Sequence, residues 1–342
     1  MSEALIKTLE LAYSCQIYGV KPKRNVYQVR SNRGVWIVKG YKDKEMAYWV
    51  TQLASILHEQ GFFRTVHYVT TRDGMQVIPI GQRYYTVMKA IEGEEANYAS
   101  LFDVKKAARS LAQFHQAAQG IPFTLEDDRG IPPIFDKWES RYNHFTQISS
   151  KINNRGPGNR FEQLISQLSK EIIRDSLDCL EQMRELPFNE ELYQAYSRGT
   201  MAHRDVASHN FLITEKGNCY LIDLDTVHSD MQLVDLAQFM SRMMLMQGYQ
   251  MNSFIDAIQE YTRIKHLSDS QIKMLITMLH FPDNVIREVT GIYAKRPGYR
   301  VRGVTQLLLL KRRFVSARKE FLQQANRTIH YWKKDMFEFG AS

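Results

Sequence analysis

A chain of 342 residues is long enough for a sizeable hydrophobic core and for two lobes or domains. Its 44% hydrophobic and 24% charged residues are ordinary for a soluble globular protein, and its longest aliphatic run is the four leucines at 307–310, so we expect no membrane-spanning helix. The three cysteines, Cys15, Cys179 and Cys219, lie far apart in the sequence, which excludes a disulfide framework and favours a reducing compartment.

The N-terminal residues, MSEALIKTLELAYS, have neither the basic start nor the long apolar core of a signal peptide, so we expect a cytoplasmic protein. The formal net charge of +8 is compatible with nucleic acid or an anionic surface as a partner. The basic residues are nevertheless spread along the chain, and only Lys311-Arg312-Arg313 is compact. We therefore expect solvated faces and anionic ligands, with binding of RNA or an anionic surface by that cluster as the weaker alternative.

The first ninety residues alternate between strand and helix patterns. Asn32-Arg33-Gly34 suits a tight hairpin turn between two segments rich in β-branched and aromatic residues. Asp43 is predicted to cap a helix whose apolar residues recur at helical spacing. Strands are predicted at 25–31, 34–41, 65–71, 75–80 and 83–91. We therefore expect residues 1–90 to form a small antiparallel sheet with a single packed helix.

From about residue 100 the pattern becomes helical. Residues 104–118 place small and apolar side chains and His115 on one helix face. Pro132-Pro133 is predicted to break the chain, and a helix-prone stretch follows to about 195, interrupted by an exposed loop at 153–159. Helices are predicted again from residue 233 onward. The remainder of the chain, 91–342, is therefore expected to be mainly helical.

One set of polar residues in the sequence indicates a catalytic site. Asp205 lies in the segment HRDVASHN, Asn210 follows after four residues, and Asp223 lies in LIDLD, on the second strand of a predicted hairpin at 211–225. Phosphoryl transfer from a nucleotide needs a cation on the phosphates, oxygen ligands for Mg²⁺, and a base near the attacking hydroxyl. Lys39, at the end of the apolar strand WIVK, supplies the cation.

Each of these residues has a simpler explanation when it is taken alone. Lys39 is then a strand-end lysine that reaches solvent, and the two aspartates and the asparagine are turn caps. The ordered set, within the matching predicted secondary structure, favours a phosphate and metal site.

A strand lysine followed by H-R-D-x-x-x-x-N and by apolar-apolar-Asp resembles the protein-kinase-like superfamily. Since the helix LVDLAQFM follows Asp223 almost at once, with no activation segment, the chain is most similar to the aminoglycoside phosphotransferase and choline kinase branch. The short N-terminal part, HRDVASHN with IDLDT, and FPDNVIREVTGIY at 281–293 resemble the CotS-type spore-coat proteins. The resemblance implies an α+β, two-lobed fold, with an N-lobe at 1–90 and a helical C-lobe at 91–342.

The resemblance also implies roles in nucleotide binding. Lys39 would hold the α- and β-phosphates of ATP, and Glu45 on the first predicted helix would pair with Lys39. The alternative for Glu45 is a first-turn acid that favours the helix dipole. Met88 and Ala90 would belong to the hinge whose backbone meets adenine.

In the predicted catalytic part, Asp205 would accept the substrate proton or orient the nucleophile. Asn210 and Asp223 would bind Mg²⁺. Asp235 is expected to cap a helix and support the loop that carries Asp205. His203 is expected to be a structural, hydrogen-bonded histidine.

Three features depart from the pattern of the resemblance. The predicted phosphate turn, YGVKPKRN at 18–25, contains one glycine and no G-x-G-x-x-G motif. Arg204 stands where the branch commonly has glycine. Asp225 follows Asp223 at the place of the Phe-Gly of protein kinases, and whether it touches the metal is left open.

The sequence therefore predicts an Mg-ATP-dependent phosphotransferase that acts on a hydroxyl or amine of a small-molecule acceptor. The alternative is a catalytically silent kinase fold that serves as a structural or assembly protein of the spore coat, with other coat proteins as partners. The acceptor pocket is expected from residues 130–200 and the C-terminal helices. Trp138, Tyr142 and Phe145 either line it or pack in the core.

Overall fold

The computed structural model describes residues 1–121 and 134–328 of the chain. The strands are β1 (Ile17–Lys23), β2 (Val26–Ser31), β3 (Gly34–Tyr41), β4 (Val77–Ile80), β5 (Arg83–Lys89), β6 (Glu94–Glu95), β7 (Met201–Ala202), β8 (Phe211–Ile213), β9 (Cys219–Leu221) and β10 (His228–Ser229). The helices are α1 (Glu3–Tyr13), α2 (Lys44–Glu59), α3 (Leu101–Ala117), α4 (Ile134–Arg155), α5 (Arg160–Arg184), α6 (Phe188–Ser197), α7 (Leu233–Met246), α8 (Met251–Thr262), α9 (Asp269–His280), α10 (Asp283–Tyr293), α11 (Val301–Arg313) and α12 (Val315–Thr328).

The N-terminal part is a five-stranded antiparallel sheet in the order β1-β2-β3-β5-β4. Helix α1 covers one face, where its Leu5 and Leu9 pack in a buried cluster with Trp36 and Val38 of β3. Successive side chains of a strand point to opposite faces, so Lys39 lies on the face away from α1. The alternation of β3 thus directs Lys39 toward the helical part of the molecule.

Helix α2 confirms the predicted packed helix and its cap. The Asp43 carboxylate accepts hydrogen bonds from the backbone N–H groups of Glu45, at 2.9 Å, and Met46, at 3.3 Å. These bonds satisfy N–H groups that have no partner within the helix. The apolar face of α2, which includes Trp49 and Leu53, is buried in the main core.

Three predictions for the N-terminal part were wrong. Residues 65–71 form no extended strand, because β4 already occupies half of the β5 edge and only residues 67–69 hydrogen-bond to its other half. Most of the predicted phosphate turn at 18–25 belongs to β1, and the turn itself is Arg24-Asn25. The sheet also carries a second helix, α1, where a single helix was predicted.

The rest of the described chain is mainly helical, as predicted. The loop after Arg155 separates α4 from α5 at the predicted place, whereas the predicted break at Pro132-Pro133 lies outside the described residues. The hairpin of β8 and β9 forms as predicted and gains a third strand, because Glu94 and Glu95 of β6 pair with β8. These three strands lie between the larger sheet and the helices, and they carry the segments that hold Asn210 and Asp223.

The basic cluster at 311–313 is not a uniform surface patch. Lys311 is buried and its Nζ lies 2.6 Å from the Glu171 carboxylate, while Arg312 donates to Gln167 at 3.1 Å. Much of its charge is therefore used within the protein, which removes the motive for an RNA site there. Among residues 1–121 and 134–328, no helix is long and apolar enough to cross a membrane.

Candidate active site

The segment from His203 to Asn210 is held in place by hydrogen bonds to Asp235 on helix α7. The buried Asp235 carboxylate in the first turn of α7 accepts the backbone N–H of His203 and, at 2.7 Å, that of Arg204. The same carboxylate also accepts a hydrogen bond from His115 Nε2 at 3.0 Å. Asp235 therefore supports the loop as predicted, although it makes no side-chain cap at the helix start, which is Gln232.

Asp205 and Asn210 meet at the end of this loop. Asn210 Nδ2 donates to the backbone carbonyl of Asp205 at 2.8 Å and to its carboxylate at 3.3 Å, which leaves the Asn210 amide oxygen for another partner. The other Asp205 oxygen lies 3.4 Å from the guanidinium of Arg242 on α7. Burial lowers the pKa of Arg242, as does the nearby Arg287, and Asp205 partly opposes this shift.

Lys39 joins the larger sheet to the segment after β9. Its Nζ lies 2.7 Å from the Asp223 carboxylate and 2.6 Å from that of Asp225. Burial lowers the pKa of Lys39, but the two carboxylates outweigh this effect and raise it. Tyr41 donates a further hydrogen bond to Asp225 at 3.0 Å. Lys39 and Asp223, 184 residues apart in sequence, are thus in direct contact.

The backbone brings Asp223 beside Asn210. The N–H of Ile222 donates to the Asn210 carbonyl at 2.9 Å, and Asp223 follows in the left-handed conformation at φ 64°. This conformation costs a non-glycine residue about 1 kcal/mol or more and turns the chain sharply out of β9. It explains why Asp223 lies just beyond the strand on which it was predicted.

The donor set fits Mg²⁺. Magnesium takes one or two carboxylates and leaves its other positions to phosphate oxygens and water. Asp223 and the free amide oxygen of Asn210 are hard oxygen donors of this kind, and Asp225 lies next to them across Lys39. Within the described part of the chain, no group of three or more His, Cys, Asp and Glu side chains forms a self-sufficient metal site. The residues therefore suit a metal held jointly with a phosphate-bearing ligand.

The predicted pairing of Glu45 with Lys39 is not found. Among residues 1–121 and 134–328, the carboxylates within 4.0 Å of Lys39 Nζ belong to Asp223 and Asp225. The Glu45 side chain is exposed in the first turn of α2, next to the Asp43 cap. The first-turn acid was the alternative reading of Glu45, and its position agrees with it.

The predicted hinge is the end of β5. Met88 is buried between Ile37 and Tyr68, and the N–H of Ala90 donates to the Val35 carbonyl at 2.9 Å. An adenine ring could therefore not accept a hydrogen bond from Ala90, although the carbonyl of that residue remains available. Beside the β1–β2 turn, a cleft of about 470 Å³ is lined by residues that include Arg24, Lys39 and Asp225.

Sequence reasoning missed one residue of this site and left another open. Arg242 lies in the methionine-rich segment FMSRMMLM, where a lone arginine in an apolar helix was a signal for a buried charge. Asp225 was left open, and the structure pairs it with Lys39. Trp138, one of the aromatic residues predicted near the acceptor, lines a cavity beside Arg242 and stacks on Phe281 with ring centroids 4.3 Å apart.

Solved structures of known proteins share this fold. An aminoglycoside phosphotransferase from Alicyclobacillus acidocaldarius subsp. acidocaldarius DSM 446 superposes with a TM-score of 0.85 at 19% identity, covering 97% of each chain. The AMP-bound spectinomycin phosphotransferase APH(9)-Ia gives 0.66 at 16% identity, covering 95% of this chain and 98% of that one. The amicoumacin kinase hAmiN, in complex with AMP-PNP and Ca²⁺, gives 0.53 at 14% identity, covering 94% and 93%.

At these identities the likeness concerns the fold, which is the two-lobed protein-kinase-like fold that the sequence predicted. A family model described as "Spore coat putative kinase YutH" matches residues 6–324, nearly the whole chain. The chain therefore belongs to this family of spore-coat, kinase-like proteins.

Proposed function

We propose that this protein is an Mg-ATP-dependent phosphotransferase that acts on a hydroxyl or amine of a small molecule. One observation carries the proposal. Lys39, Asp205, Asn210 and Asp223, from three distant stretches of the chain, converge where the N-terminal sheet meets the helical part. Cation, oxygen ligands and base are the parts that phosphoryl transfer requires.

Each residue has a role that its contacts support. Lys39 is buried and positively charged, and in the proposed role its Nζ binds phosphate oxygens of the nucleotide. Mg²⁺ held by Asn210 and Asp223 would neutralise charge on those oxygens. The Asp205 carboxylate, fixed by Asn210 and Arg242, can accept the proton of the acceptor. The nucleotide-bound states of two similar structures, with AMP and with AMP-PNP, support ATP as the donor.

Calorimetric titration of ATP, with and without Mg²⁺, tests the nucleotide site. We expect Mg²⁺-dependent binding by the wild-type protein and a loss of at least tenfold in affinity, or about 1.4 kcal/mol, for Asp223→Ala. Asp256→Ala is the matched control, since this aspartate forms a partly exposed pair with Lys105 far from the site. Equal binding by wild type and Asp223→Ala would contradict the assignment of the metal site.

The second candidate is a catalytically silent kinase fold that serves the spore coat as a structural or assembly protein. It is favoured by the β1–β2 turn, Arg24-Asn25, which has no glycine-rich loop, and by Arg242, which occupies one Asp205 oxygen. Family membership supports the spore coat as the location for either candidate and other coat proteins as partners.

The substitution Asp205→Asn separates the two candidates. In an enzyme, it abolishes phosphate transfer and coat function while folding and incorporation into the coat stay intact. In a scaffold, coat assembly is unchanged by Asp205→Asn. A coat that functions normally with the variant would therefore refute the catalytic role of this residue in the spore.

A further inference from the structure

A second cavity, separate from the cleft beside Lys39, adjoins Asp205 through Arg242. It is formed by α4, the loop around Arg204, α7 and the start of α10. Helix α7 links the cavity to the catalytic loop twice, since Gln238 Oε1 accepts the N–H of Val206 at 3.0 Å and Arg242 contacts Asp205. Both Gln238 and Arg242 line the cavity. A molecule bound in it would lie next to the proposed catalytic carboxylate.

The lining of this cavity is strongly cationic. Two acidic residues, Asp230 and Asp283, face five basic ones, which are Lys137, Arg141, Arg204, Arg242 and Arg287. The arginine side chains are at most 25% exposed, so water screens their charges weakly. Cations crowded at such a density repel one another unless an anion is present.

The internal ion pairs leave part of this charge uncompensated. Four of the five cations have a carboxylate within 4.0 Å: Arg141 is paired with Asp283, Arg204 with Asp230 at 3.5 Å, Arg242 with Asp205 at 3.4 Å and Arg287 with Glu288 at 2.9 Å. For Lys137 Nζ, residues 1–121 and 134–328 offer no carboxylate within 4.0 Å. Burial lowers the pKa of Lys137, as does the adjacent Arg141. Lys137 is therefore the cation of the lining whose charge no carboxylate of the described residues neutralises.

Two buried donors of the lining are also unused. Arg287 Nε and Trp138 Nε1 have no hydrogen-bond partner within the part of the chain that the structure describes. Buried donors are nearly always paired, and an unpaired one calls for an explanation such as a missing ligand. Both groups donate only, so the ligand that would satisfy them is an acceptor such as an oxyanion.

The backbone conformation of Arg204 also supports a functional role for its side chain. Its backbone adopts φ 66°, the left-handed region that glycine occupies without strain and arginine does not. A strained residue that persists at a functional loop points to a role for its side chain. Here the strain places a guanidinium in the cavity lining, one residue before Asp205.

We propose that this cavity binds the acceptor and that the acceptor is anionic: a small hydroxyl compound that carries a carboxylate or phosphate group. The inference rests on the proposed phosphotransferase function and names its substrate class. The enclosed space is about 40 Å³, which suits a single oxyanion group and leaves the rest of the acceptor to extend toward Asp205. Polycationic acceptors such as aminoglycosides would be repelled by the same lining.

The transfer step is then a displacement at phosphorus. The acceptor hydroxyl oxygen attacks the γ-phosphorus of ATP, the bond to the bridging oxygen breaks, and ADP leaves with that electron pair. Asp205 receives the hydroxyl proton. The cationic lining would hold the acceptor's oxyanion so that its hydroxyl faces Asp205.

Titration of two probe anions, inorganic phosphate and acetate, against the full-length protein tests the inference. The probe that binds more tightly indicates whether the acceptor carries a phosphate or a carboxylate group. We expect Lys137→Gln and Arg204→Gly each to raise the dissociation constant about tenfold, equivalent to about 1.4 kcal/mol. Lys151→Gln is the matched control, because Lys151 lies on the same helix, α4, with an exposed side chain. Arg204→Gly also relieves the left-handed strain, so the variant is expected to fold.

Lys39→Gln distinguishes this inference from the proposed function. Anion binding that survives Lys39→Gln but weakens in Lys137→Gln and Arg204→Gly supports the cavity, whether or not ATP binds. Anion binding that depends on Lys39 alone refutes the cavity as an anion site and leaves the nucleotide site standing. Absence of binding by both probes, or equal binding by all variants, overturns the inference.

Discussion

The loop that carries Asp205 depends on one buried carboxylate, and the substitution Asp235→Asn tests how much. Asp235 is fully buried and accepts three N–H groups, from His203, Arg204 and His115. Burial raises the pKa of Asp235, but the hydrogen bonds from His115 and from the backbone N–H of Arg204 help to outweigh it and lower the pKa. The group is thus an ionised acceptor at neutral pH.

The loss of stability expected for Asp235→Asn follows from the number of hydrogen-bond acceptor atoms in the two side chains. Asparagine offers one acceptor oxygen in place of two, and its amide N–H₂ would face a donor. His115 can relieve part of the conflict, because its Nδ1 lies 2.7 Å from the Tyr261 hydroxyl and the ring can change tautomer. At least one buried N–H then stays unpaired, at about 1–3 kcal/mol each, so we expect a loss of about 3 kcal/mol in the free energy of unfolding.

Urea unfolding at pH 7, followed by fluorescence and circular dichroism, measures this loss. Asp256→Asn is the control, since its pair with Lys105 is partly exposed and worth less than about 1 kcal/mol. Hydrogen exchange should also accelerate at the amides of His203 and Arg204. If Asp235→Asn were no more destabilising than the control, with both amides still protected, the carboxylate would not be what holds the loop.

Two further predictions concern stability elsewhere. Burial and the Arg318 guanidinium lower the pKa of His280 from 6.5 to about 4. As the pH falls, His280 is therefore protonated in the unfolded chain before it is protonated in the folded protein. The free energy of unfolding should then decrease between pH 6.5 and pH 4, by up to about 3 kcal/mol. Denaturation curves at several pH values should show this loss in the wild type and not in His280→Gln. At Gly291, an added Cβ would lie 2.5 Å from the Tyr299 ring, so Gly291→Ala should destabilise α10 by about 1–3 kcal/mol in chemical denaturation.

Each of these two predictions has a matched control. His266 is exposed, so His266→Gln should leave the pH dependence as in the wild type. Gly303 in α11 has no atom within 4 Å of an added Cβ, so Gly303→Ala should stabilise the helix by about 0.5–1 kcal/mol. If Gly291→Ala behaved like Gly303→Ala, the Tyr299 ring would have moved away without cost.

The elements that sequence reasoning predicted well are those whose signal is local. The β2–β3 hairpin, the Asp43 cap and the β8–β9 hairpin each depend on a few adjacent residues, and the structure confirms them. The strand predicted at 65–71 failed for a non-local reason, since β4 had taken the edge of β5 that it needed. Helix α1 was missed because its apolar residues pack on a face of the sheet that the local sequence does not reveal. Strand β1 was missed because most of it was taken for the phosphate turn.

The candidate site was also predicted only in part from the sequence. The order of Lys39, Asp205, Asn210 and Asp223 along the chain was sufficient to predict that they would be neighbours. The partners of Lys39 were mistaken, because the length of the turn after Asp223 decides that Asp225 also reaches the lysine. The functional roles of all these residues remain predictions until the binding experiments are done.

The cationic cavity could not have been predicted, because its charges come from four separate segments. Lys137 and Arg141 share a face of α4 at a spacing of four residues, which sequence can show. That Arg204, Arg242 and Arg287 join them depends on how α7 and α10 pack against α4, and no local pattern encodes this packing.

The charges around Lys39 affect how the phosphates of ATP bind. At Lys39 itself, the Asp223 and Asp225 carboxylates outnumber the ammonium and would repel the phosphates of unchelated ATP, whereas Arg24, Lys42 and Arg83 line the adjoining cleft. On the cavity side, cations predominate, so free polyphosphate would be drawn toward Arg242 and away from Lys39. Under the proposed function, Mg²⁺ is therefore needed for affinity and also for directing the phosphates to the Lys39 side. Without Mg²⁺, we expect Lys137→Gln to weaken the residual ATP binding, whereas Asp223→Ala, which removes a repelling carboxylate, should not weaken it.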